Sequence, residues 1–378
     1  MIRVLHVLAS VNRGGAECML MDLLRHIDRS RFQFDFAVCL PGKGDYEDEI
    51  LSLGGKIIRY PRYRGYNHFG YAKWWRNFFS THREYDIIHG HVTSTASIYL
   101  DIAKKNGIFT IAHSHSVNPP SRIKSLLLNI YSRKTRYIAD YFMGCSTSAI
   151  IARFGKTVAG DPLRSRVFHN AIDVSKYIYS SSIRTKIRME LGISENEYIV
   201  GTVGIIKEPK NPHMIVDICK ELRSRNVPFR FLWVGSGEME EEIKERIHQE
   251  KLDETFIMAG LRDNVPEMLQ SMDCFLFPSL WEGLGIAAIE AQAAGLPTLC
   301  SDRVPEEVRL TDLCEFYPLE DPEVWVDRIV KVKGIARRDT SKQITDHGFD
   351  VNATSRWTQS FYSDSVRKNE MRKRNRDR

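Results

Sequence analysis

Short apolar runs alternate with amphipathic segments of helical length along almost the whole chain, and the alternation occurs twice. In the first half, such runs predict strands at 2–8, 34–39, 56–59, 87–89, 109–112 and 141–145. In the second half, they predict strands at 199–204, 229–234, 256–258, 274–277 and 298–300. Near-continuous apolar strands separated by helices are typical of parallel sheets that are buried on both faces. The sequence therefore predicts an α/β protein with two doubly wound parallel sheets.

The domain boundary is predicted at 178/179, where a polar stretch separates the two runs of strands. This gives a first Rossmann-like domain at 1–178 and a second at 179–351. A helical pattern with aromatic residues at 352–370 is predicted to pack back on the first domain, and 371–378 forms a basic tail that we expect to be disordered. Because open α/β sheets bind ligands outside the carboxyl ends of their strands, we expect a ligand cleft between the two domains.

The composition is that of an ordinary globular protein. Of 378 residues, 43% are hydrophobic and 27% are charged, which excludes wholesale disorder, collagen and coiled coil. No window approaches the roughly 18 consecutive apolar residues of a membrane span, and the apolar run at the N-terminus is too short for a signal peptide. The seven cysteines are scattered without a CxxC pair, which favours reduced thiols over disulfides or a zinc site. The sequence therefore predicts a cytoplasmic protein.

The formal net charge of +6 is unevenly distributed. Segment 59–83 holds six basic and no acidic residues, 121–138 holds five basic and no acidic residues, and 367–378 has a net charge of +5. The rest of the chain therefore carries −10. Because the basic character is local, it does not indicate a nucleic-acid-binding protein.

Two of the basic segments also carry apolar side chains. Segment 59–83 interleaves its cations with nine aromatic residues, and 121–138 combines its cations with a leucine run. Cations beside aromatic rings suit the headgroup zone of an anionic membrane, where each contributes about 1 kcal/mol. The alternative is that the aromatics pack a helix against the sheet. Both interpretations stay open for 59–83, whereas 121–138 favours peripheral attachment to the inner face of the cytoplasmic membrane.

A first glycine-containing loop follows the first predicted strand and contains Gly14, Gly15 and Glu17. Adjacent glycines let backbone N–H groups approach an anion at a helix N-terminus. The alternative is a tight turn without a ligand. The loop lacks the GxGxxG pattern of dinucleotide-binding proteins, which disfavours a dehydrogenase.

A second loop follows the strand predicted at 274–277 and runs from Glu282 through Gly283 and Gly285 into a predicted helix that contains Glu290. Its glycines again provide amides for an anion at a helix start. The two carboxylates can accept hydrogen bonds from sugar hydroxyls. A solvated helix face would not explain why Glu290 interrupts an otherwise apolar run.

These segments, taken in order, resemble the retaining GT-B glycosyltransferases of family 4. The spacing of Glu282 and Glu290 matches the family's pair of glutamates separated by seven residues. Weaker matches occur at 14–17, 86–91, 111–116, 170–173, 204–211, 234–237, 260–265 and 295–297. The resemblance covers essentially residues 1–365, and its character is that of capsular and exopolysaccharide enzymes. It implies a GT-B fold, in which two Rossmann-like domains face each other across a cleft.

The resemblance also implies which residues bind the donor. Lys210 would neutralise a diphosphate, Glu282 would hold hydroxyls of the donor sugar, and Glu290 would hold the ribose. The complete donor-binding set would be Gly14, Gly15, Lys210, Leu261, Arg262, Glu282, Gly283, Leu284, Gly285 and Glu290.

The catalytic residues implied by the resemblance are His115, beside the reacting sugar, and Glu282. Glu17 and His91 would lie on the acceptor side. The activity implied is retaining transfer of a hexose from a UDP- or GDP-sugar to a saccharide or lipid-linked saccharide, in polysaccharide biosynthesis.

One position departs from the family pattern. The family usually has an arginine as a second phosphate-binding cation where this chain has Ile205. Lys207 could substitute, but lysine lacks the guanidinium fork. The departure supports an alternative function, a nucleotide-sugar-binding or scaffold protein with impaired catalysis. A second alternative is a nucleotide-sugar epimerase with the same fold.

We expect neither a metal nor another cofactor. The chain has no pair of aspartates separated by one residue, so the site that GT-A enzymes use for a divalent ion is missing. The segments 89–91 and 113–115 each hold two histidines at the end of a predicted strand, so four imidazoles are expected at one edge. Such pairs can bind zinc, but no carboxylate or cysteine completes a ligand set.

Overall fold

The structure is a computed structural model of the chain and describes residues 1–115 and 133–376. The chain forms two compact units. The first comprises 1–172 together with 351–378, and the second comprises 173–350.

In its described part, the first unit contains a seven-stranded parallel sheet with the order β3-β2-β1-β4-β5-β6-β7. Its strands are β1 (Ile2–Val7), β2 (Phe32–Val38), β3 (Ile57–Arg59), β4 (Ile87–Gly90), β5 (Phe109–Ser114), β6 (Tyr141–Gly144) and β7 (Ser165–Val167). Its helices are α1 (Gly15–His26), α2 (Glu47–Ser52), α3 (His68–Thr81), α4 (Ala96–Lys105), α5 (Thr147–Phe154), α6 (Lys156–Ala159) and, after the second unit, the C-terminal helix Val351–Arg376.

The second unit contains a six-stranded parallel sheet with the order β10-β9-β8-β11-β12-β13. Its strands are β8 (Ile199–Val203), β9 (Arg230–Val234), β10 (Phe256–Gly260), β11 (Cys274–Phe277), β12 (Thr298–Ser301) and β13 (Cys314–Tyr317). Its helices are α7 (Ser181–Glu190), α8 (Pro212–Ser224), α9 (Glu240–Gln249), α10 (Val265–Gln270), α11 (Ile286–Ala293), α12 (Pro322–Val332) and α13 (Ser341–Asp346). We number the C-terminal helix α14.

The central strands are apolar because helices cover both faces of each sheet. All four residues of β11 are buried, and so are four of the five in β9. This confirms the predicted α/β class with two doubly wound parallel sheets. The sequence pattern did not predict β7 and β13. Both are short strands at a sheet edge and are only partly buried, so they lack a continuous apolar run.

The C-terminal helix α14 packs on the first unit through aromatic residues. Tyr362 is fully buried in a core that also includes β1 and β2. The helix continues to Arg376, so the expectation of a disordered basic end is wrong for its described part. Contacts hold the end of the helix in place: the Asn369 side chain donates to the carbonyl of Gly107 at 2.8 Å, and within the predicted tail Arg372 lies 3.7 Å from Asp140.

Candidate functional site

In the second unit, the loop after β8 and the loop after β11 bring Lys210 and Glu282 together. Nζ of Lys210 donates to Oε1 of Glu282 at 2.5 Å, and both side chains are largely buried. The lysine stem runs past Gly204, where a Cβ would lie 3.4 Å from it, and Nζ lies 4.6 Å from the centre of the Phe277 ring. The ammonium group is therefore held between a carboxylate and an aromatic face.

Gly285 allows the Glu282 loop to turn into helix α11. Its φ of 97° is in the left-handed region, where a side chain would be strained. A Cβ at this position would also lie 3.0 Å from the Phe277 ring. Leu284 is buried beside it, whereas Gly283 is exposed. The helix thus begins at Ile286, after the short loop 283–285 that follows Glu282, in the arrangement that favours an anion near the first free amides.

Glu290 lies on α11 and receives a hydrogen bond from a residue that the sequence pattern did not single out. The hydroxyl of Tyr177 donates to Oε1 of Glu290 at 2.7 Å. Tyr177 is 6% exposed, so its ring is fixed in the core. The bond joins positions 113 residues apart in sequence, and no local pattern could have shown it.

Leu261 and Arg262 follow β10, at the carboxyl ends of the parallel strands, as do the loops after β8 and β11. Leu261 is exposed, and Nε of Arg262 donates to the carbonyl of Ala259 at 2.9 Å. The backbone of Gly235 lies beside this turn, because it forms an isolated antiparallel β-bridge with Gly260. Ile205, at the position where the family usually has arginine, is 45% exposed.

In the first unit, the glycine loop forms the start of α1. Gly14 precedes the helix and Gly15 is its first residue. The side chain of Asn170 donates to the carbonyl of Gly15 at 3.2 Å. The Glu17 carboxylate folds back over the loop, since a Cβ on Gly14 would lie 2.5 Å from its Oε2. Burial raises the pKa of Glu17, so this carboxyl is easier to protonate than a free one.

Five described histidines form one cluster on a single face of the first sheet. The sequence predicted four of them, and the fifth is His6 on β1, opposite His89 in the parallel pairing of β1 with β4. The ring pairs at hydrogen-bond distance are His6 with His91 at 3.1 Å, His91 with His115 at 2.8 Å, and His89 with His113 at 3.2 Å. The hydroxyl of Tyr362 also lies 2.8 Å from Nδ1 of His89.

Burial keeps these imidazoles neutral. It lowers the pKa of His6 to about 3 and that of His115 to about 4. The pKa values of His89, His91 and His113 are also lowered, first by burial and then by neighbouring histidines. Within the described residues, two overlapping trios have ring nitrogens within 4.8 Å of one another, and these are the candidates for a metal ion. They are His6 with His89 and His91, and His91 with His113 and His115.

The aromatic residues of basic segment 59–83 are placed in two ways. Five of the nine aromatics in 59–83 are buried in the core, which favours packing over membrane contact for them: Tyr60, Tyr71, Trp75, Phe78 and Phe79. Tyr66 and Phe69 are more than 80% exposed. Most of 121–138 lies outside the described residues.

In the part of the chain that is described, no helix combines the length and the apolar character that a membrane span requires.

Comparison with known proteins assigns both units to sequence families. The family described as Glycosyltransferase Family 4 matches residues 13–176, and the family Glycosyl transferases group 1 matches 183–314. The chain is 28% identical over 379 aligned residues to the protein named as glycosyltransferase EpsF of Bacillus subtilis, with 98% of each chain covered. It is 23% identical to the capsular polysaccharide biosynthesis glycosyltransferase CapH of Staphylococcus aureus, with 96% of this chain and 99% of CapH covered.

Solved structures confirm the fold. The crystal structure of Anabaena HepE in complex with UDP and glucose matches with a TM-score of 0.74 at 18% identity, covering 96% of this chain and 100% of HepE. At this identity, the likeness establishes the GT-B fold class.

Proposed function

The chain belongs to the group 1 and family 4 glycosyltransferases, and we propose that it transfers a sugar from a nucleotide-sugar to a saccharide acceptor in polysaccharide biosynthesis. The name of CapH supports a role in polysaccharide biosynthesis, and the UDP and glucose in the HepE crystal structure support a nucleotide-sugar donor. A UDP- or GDP-hexose is the proposed donor.

The observation that carries this proposal is the pairing of Lys210 with Glu282 at the start of α11. An ammonium group and free amides at a helix start are suited to a diphosphate. A carboxylate beside them can accept a hydrogen bond from a sugar hydroxyl. Glu290, held by Tyr177, offers a second carboxylate for the two ribose hydroxyls.

We propose that the transfer retains the anomeric configuration and requires no divalent ion. Positive charge for the departing diphosphate would come from Lys210 and the helix-start amides, which stabilise an anion without proton transfer. His115 would lie beside the reacting sugar, and Glu282 would orient its hydroxyls. Transfer that continues in excess EDTA, with retention observed by NMR of the product, is the expected result.

The proposed acceptor is a lipid-linked saccharide presented at an anionic membrane. Support comes from the exposed Tyr66 and Phe69 beside the cations of 59–83, and from the basic end of α14. Tyrosine and phenylalanine near cations are favourable in the headgroup zone.

The experiment that tests the function is a donor screen followed by a transfer assay. Thermal shift across UDP-, GDP- and ADP-sugars identifies the ligand that binds the folded state. The selected donor, radiolabelled in its sugar, is then followed into product or into slow hydrolysis. Failure of every nucleotide-sugar to shift the midpoint would contradict the proposal.

A second candidate function is binding of a nucleotide-sugar without efficient transfer. It is favoured by Ile205, an exposed apolar side chain where the family usually places a cation. The variant Ile205→Arg separates the two candidates. If the protein is an active enzyme limited by the missing charge-assisted hydrogen bond, arginine should raise its turnover about tenfold. A binding protein should show no turnover in either form.

A further inference from the structure

A groove lies at the carboxyl ends of the strands of the first sheet, between the loops that follow β2 and β3. Its volume is about 640 Å³, within the range of about 300–1,000 Å³ that is typical of ligand sites. The loop after β2 contributes 38–42, and the loop after β3 contributes Arg59, Tyr60, Arg62 and Arg64. Because α/β sheets bind ligands outside the carboxyl ends of their strands, the groove is well placed to hold one.

Three arginines line this groove, and they differ in their partners. Arg59 forms an ion pair with Glu47 at 2.5 Å, so its charge is compensated within the unit. Among the residues that the structure describes, no carboxylate forms an ion pair with Arg62 or Arg64, and both side chains are exposed. The groove therefore presents two guanidinium groups without a counter-charge.

Hydrogen bonds hold the backbone that carries these two arginines. The side-chain oxygen of Asn67 accepts from the backbone N–H of Arg64 at 2.8 Å, and its side-chain nitrogen donates to the carbonyl of Arg62 at 2.8 Å. Tyr60 is 5% exposed, and its hydroxyl donates at 3.0 Å to the carbonyl of Leu8, the residue directly after β1. The loop is thus organised before a ligand arrives, which reduces the entropy that binding costs.

The charge of the groove and of the whole unit selects an anionic ligand. A guanidinium group binds a carboxylate or a phosphate through two parallel hydrogen bonds. The first unit holds 32 lysines and arginines against 16 aspartates and glutamates, whereas the second unit holds 22 against 32. A unit with a large positive net charge raises the local concentration of anions. The chemical class that fits the groove is therefore a phosphate or a carboxylate.

The groove lies beside the point at which the strand order reverses. In the order β3-β2-β1-β4, the reversal falls between β1 and β4, where the main ligand crevice of such a sheet is expected. Neighbouring strands are about 4.8 Å apart, so β2 and β3 lie about 5 and 10 Å from β1. A group bound in the groove is therefore remote from the reacting group and supplies binding energy and selectivity.

We infer that Arg62 and Arg64 form a subsite for an anionic group of the acceptor, which is a phosphate or the carboxylate of an acidic sugar. The subsite selects an acidic acceptor over a neutral one. The identification of this ligand as the acceptor rests on the proposed function, whereas the binding of an anion does not. No covalent bond forms or breaks in this step.

Three amphiphiles with the same alkyl chain test the need for a charge, each used below its micelle concentration. Decyl diphosphate offers phosphate groups, decyl glucuronide offers a sugar carboxylate, and decyl glucoside is the neutral control. All proteins carry Lys210→Ala, so that the proposed donor site lacks its cation. We expect calorimetry to show at least about tenfold tighter binding of one anionic probe than of decyl glucoside, the effect of one charge-assisted hydrogen bond. The probe that is preferred identifies the source of the charge.

Two pairs of substitutions locate the binding. Arg62→Gln with Arg64→Gln should abolish the preference for the anionic probe. The matched control, Lys73→Gln with Arg76→Gln, removes the same charge from exposed positions of α3 outside the groove and should keep the preference. Arg62→Lys with Arg64→Lys keeps the charge without the guanidinium fork, so an intermediate preference is expected. Equal losses from the two glutamine pairs overturn the inference, and so does a parent protein that prefers neither anionic probe.

Failure of the proposed function gives a different result. A protein that binds the anionic probe through Arg62 and Arg64 but transfers no sugar contradicts the proposed function, and the anion site stands. A protein that transfers sugar without preferring an anionic probe loses only the subsite. In an active enzyme, the glutamine pair at 62 and 64 should raise the acceptor KM about tenfold and leave the donor KM unchanged.

Discussion

Nζ of Lys210 donates a hydrogen bond of 2.5 Å to Oε1 of Glu282, 72 residues further along the chain. The side chains are 21% and 13% exposed, so water screens the pair only in part. The proposed diphosphate site therefore has its cation already neutralised by the carboxylate assigned to the sugar. A bound donor must replace this contact with its own phosphate and hydroxyl groups.

The first prediction is that substitutions of the two members of this pair differ in their effect on the binding of a nucleoside diphosphate. Lys210→Ala should weaken UDP or GDP binding by at least about tenfold, because a hydrogen bond to a charged group contributes about 1.5–3 kcal/mol. Glu282→Gln should leave binding unchanged or strengthen it, because the ammonium group loses its competing partner. Isothermal titration calorimetry measures both. Weaker binding in both variants would show that Glu282 does not compete with the diphosphate for the ammonium group of Lys210.

The second prediction concerns Tyr177 and Glu290. Glu290→Ala should raise the donor KM about tenfold or more, because it removes the proposed acceptor of the ribose hydroxyls. Tyr177→Phe should raise it by a smaller factor, since the carboxylate remains but loses one hydrogen bond. Tyr198→Phe is the matched control, because its hydroxyl is bonded to the carbonyl of Ile329 instead. An equal donor KM in Tyr177→Phe and the wild type would remove Tyr177 from the site.

The sequence predicted the central strands of both sheets because helices bury them on both faces, which requires apolar runs. It did not predict β7 and β13, because these two edge strands are only partly buried and carry no such run. The helix that contains Glu290 could be predicted from a local pattern, because glycines precede an apolar segment. The expected disorder of the basic end failed because contacts with Gly107 and Asp140, distant in sequence, hold that helix in place.

The contacts within the candidate site could not be predicted in the same way. Lys210 meets Glu282, and Tyr177 meets Glu290, only because of the strand order and helix placement of the second unit. His6 joins the histidine cluster because β1 pairs with β4 in a register that sets it opposite His89. Strand order and register are properties of the folded sheet and leave no short-range signal. The roles assigned to these residues stay predictions.

The third prediction concerns the stability of the second unit. Asp273 accepts hydrogen bonds from Arg184 at 2.6 Å and from Arg188 at 2.8 Å, and Arg188 is fully buried. Asp273→Asn should lower the free energy of unfolding by about 3–5 kcal/mol, because it leaves a buried guanidinium without its counter-charge. Asp327→Asn is the control, since that residue pairs with Arg225 at the surface. Hydrogen exchange of peptides from the second unit measures the difference, and equal effects at the two sites would contradict the prediction.

The fourth prediction concerns attachment to an anionic membrane. Lys368→Gln with Arg374→Gln removes two exposed cations from α14 and should weaken binding to vesicles containing anionic lipid by about thirtyfold, at about 1 kcal/mol per cation. The control replaces the exposed Lys186 and Lys342 of the second unit with glutamine. Vesicle sedimentation measures both. Equal losses from the two pairs would indicate that total charge, and not the end of α14, drives binding.

The fifth prediction is that mild acid destabilises the first unit more than the second. A histidine whose pKa is lowered by folding binds its proton more readily in the unfolded chain, so stability falls as the pH drops below the unfolded value of about 6.5. For His115 the fall continues to about pH 4, and for His6 to about pH 3. In this window, each buried neutral histidine lowers the free energy of unfolding by up to about 1.4 kcal/mol for every unit that the pH falls.

Hydrogen exchange between pH 7 and pH 5 checks this prediction unit by unit. Exchange rates are first corrected for their intrinsic dependence on pH. Peptides from β1, β4 and β5 should then lose protection steeply, because these strands and the residues directly after β4 and β5 carry the cluster. His113→Phe should reduce the slope, since it removes one titrating ring from the same buried face. A slope unchanged in this variant would mean that the cluster does not control the acid stability of the unit.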